Sequence, residues 1–175
     1  MPLKYIFGQD QLVADFVARS KRASGFAPRA GFTDRKLRAI GIAKTDSELI
    51  PGVVDNELIA GIVYFNHLPE AGTIEMSVEA LPGQHWLTRS TLAVMFQYPF
   101  LDCGCQLLIT GISARSVHIL RMLAVLNFTH ILIPRACGRD EDGVISTLTY
   151  EDWVAGKFCQ KYGHHLLDVK IEKAA

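Results

Sequence analysis

The sequence has no excess of either charge, since 18 lysines and arginines meet 18 aspartates and glutamates. A nucleic acid or an anionic membrane surface therefore finds no overall attraction, and neither partner is expected. No apolar run approaches the roughly 20 residues needed to span a bilayer. The opening MPLKYIFGQDQ turns polar too soon for an export signal. A cytoplasmic protein is expected, with Cys103, Cys105, Cys137 and Cys159 reduced rather than paired. Cys103-Gly-Cys105 lacks the spacing of a structural zinc site, and His164 and His165 adjoin each other near the end, so no metal site is expected. There is no P-loop, no Rossmann glycine fingerprint, no nucleophile elbow, no internal repeat and no low-complexity tract.

What remains is 175 residues, 49% hydrophobic and 21% charged, which suits one globular domain with one core. Residues 9–22 read as a helix with Leu12, Val13, Phe16 and Val17 on one face. Residues 24–31 read as a loop. Thr33 is placed to cap a second helix through Leu37, Ile40 and Ile42. The period then changes. Residues 48–54 and 58–65 are runs rich in Val and Ile joined at Asp55-Asn56, which predicts a hairpin. Strict alternation over 73–80 predicts a strand with Ile74, Met76, Val78 and Ala80 on one face, and Thr73, Glu75, Ser77 and Glu79 on the other. After a loop, a helix is expected through Leu92, Val94, Met95 and Phe96, stopped by Pro99. A buried strand over 106–112 follows, then a helix capped by Ser113 or Ser116 and ending at Asn127. Strands at 129–133 and 144–150 flank a charged turn over 135–143. Thr149 to Asp152 forms a capping box for a last short helix through Trp153 and Phe158. Helix and strand order together predict an α/β (α+β) plan on a mixed, largely antiparallel central sheet flanked by helices.

This order resembles the GCN5-related N-acetyltransferase fold. Ser116-Val-His-Ile-Leu-Arg121, running on to Asn127-Phe128, is similar to that family's last core helix, with Ser116 in the place of its Asn and Asn127 in the place of its Gly. The ending Thr149-Tyr-Glu-Asp-Trp153 resembles the ribosomal-protein acetyltransferase branch. Ile74-Glu75-Met76 followed by residues 82–92 looks like the strand, loop and helix that hold acyl-CoA. The likeness covers roughly residues 48–153. It implies a single domain over 1–175: N-terminal helices over 1–47 on the acceptor side, the core sheet and acyl-CoA site over 48–153, and a C-terminal helix and tail over 154–175. It also implies central strands that splay apart to admit the pantetheine arm.

Acetyl-CoA as acyl donor and a primary amine as acceptor are the substrates implied by the resemblance. A helix N-terminus offers unpaired backbone N–H groups and a partial positive charge to a pyrophosphate. Gln84, His85, Trp86, Leu87, Thr88, Arg89 and Ser90 are the candidate cofactor-binding residues, with Arg121 bordering the CoA arm. Leu87 and Arg89 stand where the family has glycines. Glu75 is the first candidate for general base, Glu79 the second, and Ser116 a candidate donor to the leaving thiolate. Leu123 occupies the position of the family's usual acidic Tyr, with Ser113 and Tyr150 as further substitutes. These departures leave a second reading open, the same fold without catalysis, acting as a binding or structural protein. Phe158, Tyr162 and Leu166 of the tail are candidates for packing on a second copy in a homodimer.

Overall fold

The computed structural model describes residues 3–19, 37–44 and 58–166, the last four by backbone alone. Seven strands form one mixed sheet: β1 (Leu3–Ile6), β2 (Arg38–Lys44), β3 (Leu58–Leu68), β4 (Thr73–Ala80), β5 (Leu107–Ser113), β6 (Thr129–Gly138) and β7 (Glu141–Thr149). Their order is β1-β2-β3-β4-β5-β7-β6, and every neighbouring pair is antiparallel except β4 and β5. The helices are α1 (Asp10–Arg19), α2 (Arg89–Gln97), α3 (Val117–Val125), α4 (Tyr150–Ala155) and α5 (Lys157–Leu166).

One sheet face carries the larger core. Ile42, Ile62, Ile74, Met76, Leu108 and Leu148 meet Phe96 of α2, Leu123 of α3 and Trp153 of α4. The opposite face is covered by α1, where Val13, Ala14 and Val17 pack on Ala39, Ala43, Val63 and Phe65. That approach depends on Gly61, since a Cβ there would lie 2.8 Å from Val17 Cγ2 and 2.9 Å from Val13 Cγ1. Both neighbours are β-branched and stiff. Gly61→Val is expected to lower stability by about 1–3 kcal/mol, read as a fall of about 2–12 °C in the thermal midpoint. An unchanged midpoint would mean that α1 does not need this close approach.

The strand over 73–80 forms as expected, with Ile74 and Met76 buried in the larger core. Asn127 takes the left-handed conformation at φ 74, and Thr149 caps α4 by accepting from the Asp152 N–H at 3.0 Å. Other expectations are corrected. The segment through Leu37, Ile40 and Ile42 is strand β2, not a helix capped by Thr33. A strand buried on both faces loses the alternation that would reveal it. Residues 1–47 are not wholly helical, since β1 and β2 lie among them. The hairpin turn at Asp55-Asn56 lies outside the described residues; β3 itself pairs with β2 on one edge and β4 on the other. Residues 24–31 and 48–54 lie outside the described residues. The charged turn shrinks to Arg139-Asp140, because β6 and β7 extend through most of it with a register shift between Ile133 and Gly138. α2 ends at Gln97 just before Pro99, as expected, and the chain runs on as a π-helical turn, Tyr98–Asp102. Four residues of β1 were too few to show a period at all.

Candidate active site

β4 and β5 are bonded along three rungs only: Thr73 with Leu107, Ile74 with Leu108, and Glu75 with Ile109. Beyond the Glu75 rung they part. Each stays paired on its outer side, β4 with β3 as far as Ala80 and β5 with β7 as far as Ser113. The inner edges are therefore open from Met76 to Ala80 and from Thr110 to Ser113, about 16 Å of β4 at roughly 3.3 Å per residue. A helix after a strand begins at the strand's C-terminal end, so α2 and α3 both start at the mouth of this cleft.

The loop into α2 is held from within. Leu81 N–H continues the pairing by donating to Ile59 O at 2.8 Å, and Gly83 turns the chain at φ 76. Trp86 and Leu87 pack against the larger core, so Trp86 anchors the loop. Thr88 is the N-cap, its Oγ1 accepting from the Thr91 N–H at 3.2 Å. Thr91, wholly buried, donates its hydroxyl to Trp86 O at 2.7 Å and lies 3.3 Å from Tyr5 Oη. Its hydroxyl is spent on the loop and is not offered to a ligand. Among the described residues, the backbone N–H groups of Arg89 and Ser90 have no acceptor. Gln84, His85 and Ser90 are exposed beside them. Leu87 packs on the core, and the Arg89 guanidinium sits 4.4 Å from the centroid of the Tyr162 ring.

Glu75 sits at the apex of the cleft, half-buried on the α1 side of the sheet, where its Oε1 accepts from Asn66 Nδ2 at 3.0 Å. Asn66 reaches it from an irregular stretch of β3 with φ 49. No sequence pattern marked that residue, because the register shift between Phe65 and Leu68 exists only once β4 is alongside. Glu79 lies on the same face nearer the mouth, opposite Gly61. Ser77 between them is 1% exposed, and its Oγ has no partner among the described residues.

At the other lip, Ser116 is the N-cap of α3 and makes no side-chain capping bond. Ser113 is engaged: its Oγ contacts Glu141 Oε1 and accepts from the Arg115 N–H, and Arg115 also bonds Asp140 O at 3.1 Å. Tyr150 lies away from the mouth, its N–H donating to Gln106 O beside the start of β5. Arg121 is exposed on α3, and Leu123 is buried in the core. Cys103 and Cys105 precede β5 at that same far end, and burial pushes the Cys105 thiol up to about 11.

A mixed sheet whose two central parallel strands part, with helix N-termini at the opening, defines the GCN5-related N-acetyltransferase fold. Solved structures agree. A point mutant of the spermidine N-acetyltransferase SpeG from Vibrio cholerae aligns with TM-score 0.64 at 8% identity over 88% of this chain and 98% of that one. A candidate acetyltransferase from T. thermophilus aligns with TM-score 0.64 at 13% identity over 95% and 94%. The dodecameric spermidine N-acetyltransferase from V. cholerae in an intermediate state gives TM-score 0.61 at 10% identity over 87% and 96%. No protein-family model and no curated protein matches the sequence. At these identities the likeness fixes the fold and not the branch, so the ribosomal-protein kinship of the Thr149–Trp153 ending stays a resemblance of sequence.

Proposed function

We propose that the protein is an N-acyltransferase that moves an acetyl group from acetyl-CoA to a primary amine within a ternary complex. The observation that carries this reading is the parting of β4 and β5 after the Glu75 rung, which opens two backbone edges to a ligand with amide groups. The unspent N–H groups of Arg89 and Ser90 fit a pyrophosphate at the start of α2. Gln84, His85, Trp86, Leu87 and Thr88 form the wall of that site, and Arg121 borders the CoA arm.

Glu75 accepts a proton from the amine, whose nitrogen forms the new bond to the thioester carbonyl carbon. Collapse of the tetrahedral intermediate breaks the carbon–sulfur bond, and the CoA thiolate takes up a proton. Ser116 is the candidate donor that is left unengaged, since Ser113 is engaged with Glu141 and Tyr150 stands at the far end of β5. It stands at the mouth with Glu79, however, so with Glu75 as base the thiolate leaves unassisted and takes its proton from solvent. Acceptor classes to assay are polyamines, suggested by the spermidine acetyltransferases of like fold, and protein N-termini, lysines and small amines. The N-terminal segment 1–47 forms part of the acceptor side, and the cytoplasm is the compartment we assign. The alternative, a non-catalytic binding or structural protein of this fold, is favoured by Leu123, which buries an inert side chain where the family usually has an acid.

Thermal unfolding with and without acetyl-CoA tests the reading. At about 100 times its dissociation constant a ligand stabilises the native state by roughly 2.7 kcal/mol. The expected midpoint shift is about 5–10 °C for a domain of this size, absent with adenosine alone. No shift at millimolar acetyl-CoA would remove the enzyme reading and turn the search to a protein partner.

A further inference from the structure

Two cations converge on one ring at the mouth of the cleft. Arg89 Cζ lies 4.4 Å and Lys161 Nζ 5.5 Å from the centroid of Tyr162 on α5. Among the described residues neither cation has a carboxylate partner, and the Arg89 guanidinium spends none of its five N–H donors. The contact with the ring is a cation–π contact and gives the guanidinium no hydrogen-bond acceptor. Like charges gathered without an anion repel one another, an arrangement that a polyphosphate ligand relieves.

The ring is itself fixed from the core. Phe158, one helical turn earlier, packs against the larger cluster and lies 5.5 Å from Tyr162, centroid to centroid. Gly156 turns the chain after α4, which Trp153 pins to the core, so that α5 runs beside α2.

We propose that Tyr162 is a positioning residue that assembles Arg89 and Lys161 into a clamp for the phosphate groups of the acyl-CoA substrate. The proposal rests on the acyltransferase reading and adds to it. In this chain the phosphate site is built partly from a side chain in a glycine position and from the C-terminal helix. An Arg side chain loses rotamer freedom when a ligand immobilises it, and the contact with Tyr162 meets part of that cost before the ligand arrives.

The test is calorimetric titration of the full chain with acetyl-CoA and with its 3′-dephospho form, at low and high salt. Tyr162→Leu is expected to weaken acetyl-CoA binding about three- to tenfold, and Tyr162→Phe, which keeps the ring, to stay close to wild type. Arg89→Gln is expected to weaken it about tenfold or more. The double variant is expected to lose less than the two single losses combined, because the ring acts through Arg89 as well as Lys161. If the losses shrink for the dephospho form, the clamp holds the 3′-phosphate; if they persist, it holds the pyrophosphate. The losses should also shrink with added salt. Additive losses, or Tyr162→Leu binding as tightly as wild type or tighter, would overturn the clamp while leaving the acyltransferase reading in place. Wild-type protein that binds no acetyl-CoA would overturn both.

Discussion

Glu75→Gln is expected to lower turnover by about 10²–10⁴-fold while acetyl-CoA affinity stays close to wild type. The residue sits at the last rung before β4 and β5 part, which is as deep as an extended ligand arm can reach between them. Gln keeps the shape and still meets Asn66 through its amide, so the apex geometry persists while the proton acceptor is lost. Glu79 is about 13 Å further along the strand, at roughly 3.3 Å per residue, too far for both carboxylates to serve one reacting nitrogen. Single-turnover rates with a saturating amine would separate the two: unchanged rates in Glu75→Gln and a large loss in Glu79→Gln would transfer the role to Glu79.

The second large effect concerns the platform that carries α5. Trp153 is 5% exposed, stacks on Phe100 with centroids 5.0 Å apart and planes at 20°, and lies 5.8 Å from Tyr150. Trp153→Ala is expected to cost about 3–5 kcal/mol, a drop of roughly 6–20 °C in the thermal midpoint. Its indole Nε1 is buried without a partner among the described residues. Trp153→Phe removes that unpaired donor and keeps the ring stack, so a much smaller loss is expected. Denaturant unfolding of both variants checks this. Equal losses in the two would mean that the indole N–H carries a bond the packing does not reveal. If the clamp holds, Trp153→Ala should also weaken acetyl-CoA binding at temperatures where it remains folded, because α5 follows directly from α4.

Several features of the site are legible in the sequence. Alternation over 73–80 placed Glu75 and Glu79 on one face and Ile74 and Met76 on the other. A strand with one buried face writes its orientation into the sequence. Thr149 and Asn127 announced their helix ends through local chemistry, side-chain capping and tolerance of positive φ. The departures at Leu87, Arg89 and Leu123 were equally visible as residue types, but their meaning was not. Leu87 packs inward, Arg89 is drawn to a ring more than 70 residues away in the chain, and Leu123 fills the core.

By itself, then, the sequence determined the element order over most of the chain, the faces of β4 and the helix ends, because each depends on neighbours within a few residues. It misassigned β2, whose burial on both faces erased the period. Only the tertiary structure decided where β4 and β5 part, that Asn66 meets Glu75, that Ser113 is engaged while Ser116 is not, and that Tyr162 stands over Arg89. Each of these joins residues brought together by sheet register or helix packing, and no local propensity encodes a contact whose partner is supplied by another part of the chain.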